Sequence, residues 1–213
     1  MNRSDIIKSV RARIDEVATT QNLILDVGIE DNKPIDVIID EVLDGCILHI
    51  LSVAPYDILP NKDVVLDAVI KAEPAIDIAG CSIVKNIAEI TVPDHFLRLI
   101  RLSLSEWNNP IAELSPINSA IARRQGDIFL RGGIDNPVAI RNNNKIECYS
   151  SSSSQDKATL SYIEDITFNG SDCVLDNPKA INALLWDCAG KTLLVLGNSA
   201  SKVCEDKSME ALI

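Results

Sequence analysis

Two short stretches carry residue types that take part in phosphate and serine chemistry. Gly190-Lys191-Thr192 ends like a phosphate-binding loop, but that loop needs a glycine five residues before its second one, where this chain has Leu185. Ser199-Ala200-Ser201-Lys202 places a serine one helical turn before a lysine, yet the S-D-N and K-T-G motifs that accompany such a serine nucleophile are absent. We therefore expect neither nucleotide binding nor this serine chemistry.

Other catalytic arrangements have even less support. For Ser-His-Asp catalysis only His49 and His95 can act as the base, and no nucleophile elbow accompanies them. The 31 acidic residues always allow a pair of carboxylates, but their spacing singles none out. The six cysteines form no CxxC pair, and Cys46, Cys188 and Cys204 fall on apolar helix faces. We expect no enzyme, no metal, no cofactor, and reduced, buried thiols.

A set of arginines in the middle of the chain permits two interpretations. They are either a solvated or internally paired set, or interface anchors for acidic partner surfaces, where arginine is favoured. The set comprises Arg98, Arg101, Arg123, Arg124 and Arg131.

Helical spacing marks both ends of the chain. Apolar residues recur at steps of three and four from Ser4 to Thr20 and again from Pro34 to about Pro55. Asn177-Pro178 is an N-cap followed by a first-turn proline, and it opens a third helix that Gly197 ends. A last helix is predicted to continue to about Leu212.

The middle of the chain has strand patterns around Phe96–Ser105, whose nearly continuous apolar run is typical of a strand covered on both faces. We expect it to pair with Ile83–Thr91 through the Pro93-Asp94 turn. Val64–Ile70 fits a helix or a strand equally, and a short helix is predicted near residues 115–125. The remaining short strands are predicted at Ile76–Gly80, Pro137–Ile140, Lys145–Ser150 and Thr159–Ile163.

Three connecting segments are distinctive. Leu23–Glu30 is expected to be a packed connection, and Asn142–Asn144 a turn, because asparagine tolerates the left-handed conformation of a hairpin. Ser150–Ser154 is either a flexible hairpin tip or a tip that orders against a partner. Together the patterns predict an α+β fold. A helical bundle, residues 1–60 plus 175–213, carries a β-rich hairpin extension, residues 61–174, inserted in the middle.

Composition restricts the partners. The chain of 213 residues has a formal net charge of -11, which argues against broad DNA binding because that relies on Lys and Arg neutralising phosphates. No apolar segment approaches the roughly 20 residues of a membrane span. The N-terminus lacks the apolar core of a signal peptide.

Three motifs suggest a family. They are Pro93-Asp94-x-Phe96-Leu97-Arg98-Leu99, then Trp107-x-x-Pro110, then Pro178 at the start of a late apolar helix. With this order the chain resembles the head-to-tail adaptor, or ring (connector), proteins of tailed bacteriophages. It is most similar to the ring proteins of podovirus-like, crAss-like phages. The resemblance covers the layout of the chain and is specific over about Val92–Pro110, while the long polar stretch 142–156 departs from it.

The resemblance implies a structural virion protein, made in the host cytoplasm, that assembles as a ring between portal and tail. Such rings commonly have twelve copies, contact the portal and neighbouring tail rings, and let DNA pass without specific binding. The C-terminal segment, here 199–213, often reaches into the portal or a neighbouring subunit. The candidate interface residues are Arg98, Arg101, Trp107, Arg123, Arg124, Val203, Met209, Leu212 and Ile213.

Two further hypotheses stay open. The acidic balance and the helical ends also suit a soluble protein-binding module of a phage or bacterial assembly. An enzyme that uses acidic residues is the third.

Overall fold

The computed structural model of the chain describes residues 1–20, 34–71, 76–78, 81–83, 86–127, 129–151 and 157–213. They form a mixed α+β structure, as predicted. Two compact units divide it: a helical unit, Met1–Pro60 with Asp165–Ile213, and a sheet unit, Asn61–Glu164. The second boundary therefore falls at 164/165, whereas the sequence pattern placed it at 174/175.

The helices are α1 (Arg3–Thr20), α2 (Ile35–Val53), α3 (Ala120–Gln125), α4 (Pro178–Val195) and α5 (Ser201–Ala211), with a 3-10 turn at Tyr56–Ile58. The strands are β1 (Lys62–Lys71), β2 (Ile76–Ile78), β3 (Cys81–Ile83), β4 (Asn86–Thr91), β5 (Phe96–Leu104), β6 (Ser115–Pro116), β7 (Ala139–Asn142), β8 (Lys145–Ser151), β9 (Lys157–Glu164), β10 (Phe168–Asn169) and β11 (Asp172–Cys173).

Helix α4 is the centre of the helical unit. Asn177 caps it, since its Oδ1 accepts a hydrogen bond of 2.9 Å from the Lys179 backbone N–H. Most of α4 is buried, and α1, α2 and α5 all pack against it. A helix that is apolar on most sides needs such neighbours to exclude water.

The fragment Gly190-Lys191-Thr192 lies inside α4 and has structural roles there. A Cβ on Gly190 would lie 3.1 Å from the Ser201 carbonyl oxygen and 3.2 Å from the Cys204 Cβ, so glycine lets α5 approach closely. Thr192 Oγ1 donates a 2.8 Å hydrogen bond to the Cys188 carbonyl, within the helix. Lys191 forms an ion pair, described below.

Arg3 ties α1 to α2 and to the β10–β11 hairpin. Its guanidinium reaches Asp40 Oδ1 at 2.5 Å and Asp44 Oδ2 at 3.1 Å, and it lies 5.0 Å from the centre of the Phe168 ring. Gly170 turns the hairpin with φ of +65°, which glycine adopts without strain. These contacts place the hairpin in the helical unit.

Seven strands of the sheet unit form one sheet in the order β5-β9-β1-β4-β8-β7-β6, antiparallel except for the β6–β7 pair. The sheet is curled, and the segment 111–116 meets both of its edges. Ile111 exchanges two backbone hydrogen bonds with Leu102 of β5, at 2.8 and 2.9 Å, and Ser115–Pro116 then pairs with β7. The inner face is the unit's core, with residues such as Ile90, Leu102 and Leu160 fully buried.

The prediction for Phe96–Ser105 was right about the strand and wrong about its place. The strand β5 pairs with β9, not with β4, and two register shifts interrupt that pairing. Only one face is covered: Leu102 and Leu104 are buried, whereas Arg101 is exposed. The arginines are therefore the outward positions of an edge strand.

The other local predictions have mixed outcomes. Val64–Ile70 lies within a strand, β1, and the turn at Asn143 has φ of 52°, as the left-handed conformation requires. The short helix α3 begins after Ser119 rather than near residue 115. The segments 23–30 and 152–154 lie outside the described residues. The cysteines whose side chains the structure describes are free, and they are buried as predicted: Cys46, Cys148, Cys173, Cys188 and Cys204.

Candidate protein-interaction surface

A long excursion of the chain, residues 105–138, connects β5 to β7 and exposes an unusual number of apolar side chains. These side chains are between 46% and 64% exposed, and they are Ile117, Ile121, Phe129, Leu130 and Ile134. Scattered exposed apolar residues are normal, but several within one short segment indicate a contact surface. We call these five residues the apolar patch.

Helix α3 is built by local capping and by one buried glutamine. The Ser119 hydroxyl accepts a 3.1 Å hydrogen bond from the Ala122 N–H, which caps the helix. Gln125 is 3% exposed; its Nε2 donates to the Ile121 carbonyl at 3.0 Å and its Oε1 accepts from the Gly132 N–H at 2.8 Å. The Gln125 carbonyl also accepts from Arg131 Nε at 2.9 Å. One side chain thus holds the loop after α3 against the helix.

The Trp107-x-x-Pro110 turn holds the far end of the same loop. Trp107 is 7% exposed and packs in the core of the sheet unit, so it acts as a core residue rather than as a surface anchor. From the turn that follows, Asn108 Nδ2 donates to Asp135 Oδ1 at 2.5 Å and Asn109 Nδ2 donates to the Asp135 carbonyl at 2.8 Å. The Asn108 N–H donates to the Ile134 carbonyl at 2.9 Å.

A cavity of about 500 Å³ lies between the two halves of the excursion, and we call it the α3 groove. Ile121 and Leu130 of the apolar patch line it, together with Ile111 and Val138. Beneath α3, a small cluster of Ile87, Ile140 and Tyr149, with Ala122 and Val138 against it, packs the excursion on the outer face of the sheet. The groove therefore has walls that are already ordered.

Two basic residues lie on α3, and one of them, Arg124, lines the groove. Arg123 and Arg124 are exposed in the last turn of α3, where the helix dipole favours a cation. Arg124 lines the groove, and so does the carboxylate of Glu113. Neither arginine belongs to any ion pair in the part of the chain that the structure describes; the Arg123 guanidinium donates to the Asn118 carbonyl, at 3.3 Å.

The five arginines of the sequence analysis do not form one set. Arg98 and Arg101 lie on β5, the first half-buried and the second exposed beside Ser161 of β9. Arg131 is buried with its guanidinium 5.4 Å from the centre of the Tyr149 ring. Only Arg123 and Arg124 flank the apolar patch.

The C-terminal candidate interface residues also differ in exposure. Met209 and Ile213 are exposed, Val203 is half-buried, and Leu212 is buried in the helical unit. Exposed apolar side chains also stand at the end of α4, namely Leu194 and Val195.

One group of ionisable side chains surrounds Asp187 in the helical unit. The carboxylate is buried; Oδ1 lies 3.1 Å from His49 Nδ1, and Oδ2 faces the Lys191 ammonium at 2.9 Å. Burial is the largest single effect on Lys191 and disfavours its charged form, but the hydrogen bond to Asp187 and the Coulombic attraction of neighbouring groups together outweigh it and raise the pKa of Lys191. This pairing offsets the cost of burying the carboxylate.

No nucleophile completes this group. Cys46 and Cys188 lie beside it, but both are fully buried. The pKa of the Cys46 thiol is raised, first by its hydrogen bond with Cys188 and then by burial, so the reactive thiolate is disfavoured. The group accordingly acts as a structural pairing between α2 and α4.

Comparison with known proteins does not identify a family for this chain. A scan of protein-family models found no match, and a search of curated proteins found none. Within the described ranges, no cluster of three or more His, Cys, Asp or Glu side chains is arranged to hold a metal ion. No described helix combines the length and the apolar character needed to cross a membrane.

Sequence patterns missed the residues that build the groove. Gln125 and Asp135 look like ordinary loop residues, since their partners are fixed only by folding. The apolar patch did leave a signal: Ile117 and Ile121, and the pair Phe129-Leu130, stand in a segment otherwise rich in turn residues.

Proposed function

We propose that the chain is a structural virion protein, a ring-forming head-to-tail adaptor between portal and tail. The observation that carries the proposal is the apolar patch on an ordered loop, beside a groove that Arg124 lines. A monomeric protein gains nothing from holding such side chains in water, whereas a subunit buries them on assembly.

Exposed apolar side chains in both units also support the proposal. Exposed apolar residues occur in the sheet unit, as Phe129 and Leu130, and in the helical unit, as Leu194 and Met209. A head-to-tail ring needs two different surfaces on each copy. In this proposal the packed helices are the bundle of such ring proteins and the curled sheet is their β-rich extension.

The charge suits a protein that surrounds moving DNA. At a formal net charge of -11, the chain repels phosphates, so DNA slides past without tight contacts. We expect no retention of duplex DNA by the purified protein in a gel-shift assay at moderate salt. Tight, salt-sensitive binding would contradict a passive channel.

The deciding experiment is mass photometry of the purified protein, alone and with the portal protein encoded nearest to it. We expect a heavy species near a whole-number multiple of 23.2 kDa, or a shift of the portal peak. The protein should also be present in purified virions. A monomer that leaves the portal peak unchanged, together with absence from virions, would refute the proposal.

The second candidate is a protein-binding module of a phage or bacterial assembly. A preformed groove of about 500 Å³ that Arg124 lines, with Arg123 exposed next to it in α3, also suits an acidic segment of an unrelated protein. Pull-down of a specific partner from a host lysate without virion proteins would favour this candidate over the adaptor.

A further inference from the structure

We propose that the α3 groove of one copy binds the acidic helical unit of a second copy, so that copies associate head to tail. This inference rests on the ring-forming function proposed above and assigns its contact surface. The occupant follows from the distribution of charge and of exposed apolar side chains.

Charge is divided unequally between the two units. The helical unit has 18 acidic and nine basic residues, and the sheet unit 13 and 11, so they carry -9 and -2 of the total of -11. Within the sheet unit, the exposed side chains of Arg123 and Arg124 form a basic segment at the end of α3, beside the groove, whereas Arg131 is buried. Copies of an acidic chain repel one another in most orientations. The attractive orientation sets this basic segment against the helical unit of the next copy.

The groove adds an apolar contact to this attraction. Ile121 and Leu130 are partly exposed in its wall, and Phe129, next to Leu130 in sequence, is 64% exposed. Gln125 already holds the wall in place through Gly132, so little conformational freedom is lost on binding.

The helical unit offers matching side chains. Leu194, Val195 and Met209 are between 55% and 62% exposed, and the carboxylates of Glu205 and Asp206 are exposed on α5. The apolar side chains can pack in the groove, and the carboxylates can pair with the arginines of α3.

The same charges argue against a symmetric contact. If two grooves faced each other, Arg123 and Arg124 of both copies would meet in one interface, where like charges repel. A contact between two different surfaces is heterologous, and it produces a closed ring when the rotation between copies closes.

Charge reversal tests the electrostatic part of the inference. In the full-length protein, Arg123→Glu with Arg124→Glu should raise the concentration needed for assembly by roughly tenfold or more, measured by sedimentation or mass photometry. The control, Lys62→Glu with Lys157→Glu, changes the net charge equally at two exposed lysines of β1 and β9 in the same unit, which pair with Glu164 and Asp67 away from the groove. It should assemble like the unaltered protein.

A second double variant, with its own control, tests the apolar part of the proposed contact. Phe129→Ser with Leu130→Ser should also weaken assembly. Val65→Ser with Val69→Ser, which alters valines 68% and 69% exposed on β1, should not. Thermal unfolding of each variant identifies loss of fold. If the arginine and the Phe129/Leu130 variants fold and assemble like the unaltered protein, the inference is wrong and the ring-forming function stands.

Mixing distinguishes the head-to-tail contact from a symmetric one. A tagged copy with both arginines reversed retains its helical unit, so it should capture the unaltered protein but not a second reversed copy. A photo-crosslinker, Leu130→benzoylphenylalanine, should join to residues 1–60 or 165–213 of another copy. Crosslinks to the partner's own groove, or to the portal alone, would overturn the inference. An unaltered protein that never self-associates, alone or with portal, would overturn the ring function and the inference together.

Discussion

Gln125 and Gly132 are joined by a 2.8 Å hydrogen bond from the Gly132 N–H to Gln125 Oε1, and this contact holds the wall of the α3 groove. The two residues are seven positions apart in sequence, and α3 ends between them. A buried amide whose oxygen and nitrogen both have backbone partners is a specific anchor, because leaving either partner unsatisfied is costly.

Gln125→Ala should lower the free energy of unfolding by about 1–3 kcal/mol, since it leaves the Gly132 N–H without its acceptor. Urea denaturation measures the loss, and hydrogen exchange should become faster at residues 129–134. Arg124→Ala is the control, because Arg124 is exposed and has no such role. Unchanged exchange in the Gln125 variant would show that the loop is held by other contacts.

Gly132→Ala and Gly133→Ala alter neighbouring glycines that differ in the space around them, so their effects on stability can be compared. A Cβ at Gly132 would lie 2.9 Å from the Asn136 carbonyl oxygen and 3.0 Å from Val138 Cγ2, whereas a Cβ at Gly133 meets nothing within 4 Å. We expect the first change to cost about 1–3 kcal/mol of unfolding free energy and the second to be tolerated. Thermal denaturation compares them directly. Equal midpoints would mean that the loop adapts without cost.

Trp107→Ala separates a core role from an interface role. Because Trp107 is buried in the core of the sheet unit, its truncation should cost about 3–5 kcal/mol of unfolding free energy. Trp107→Phe should cost less, since it keeps much of the ring volume. A Trp107→Ala protein with an unaltered midpoint and impaired assembly would instead identify the residue as an interface anchor.

Asp44→Asn should have an effect that depends on pH. Partial burial tends to raise the pKa of Asp44, but hydrogen bonds from Arg3 and Thr167 outweigh it and lower the pKa below its ordinary value of 3.8. A lowered pKa in the folded state means that the carboxylate adds stability above pH 3.8, and that this stability is lost as pH falls through the folded value.

At pH 7 the change should therefore cost at most about 1 kcal/mol, because the pair is half-exposed and solvent screens it. The difference from the unaltered protein should vanish well below pH 3.8. Unfolding at both pH values measures this, with Asp15→Asn as the control, an exposed carboxylate of α1. A difference that grows as pH falls would contradict the sign of the shift.

Local features of this protein could be predicted from sequence because they depend on neighbouring residues. Helices α1, α2 and α4 follow from apolar residues at steps of three and four, since each helix forms its own backbone hydrogen bonds. The cap at Asn177 and the turn at Asn143 depend on one or two residues.

Strand pairing and the groove could not be predicted in this way. The next contact along the chain from β5 is a single bridge between Leu102 and Ile111. The strand that pairs with β5 along its length is β9, which begins more than 50 residues later. An apolar run shows that a strand is covered without specifying what covers it. The identity of Trp107 as a core residue has the same origin, because burial is a property of the packed unit.

The sequence by itself determined the α+β class, the long helices α1, α2 and α4, the buried cysteines, and an acidic chain with arginines in its middle. Tertiary structure alone decided which arginines lie beside exposed apolar side chains and which, like Arg131, are buried. The reason is physical. Backbone propensity and apolar periodicity act over a few residues, whereas the burial of Arg131 is a property of the packed unit and the far end of the excursion is held by Asn108 and Asp135, 27 positions apart.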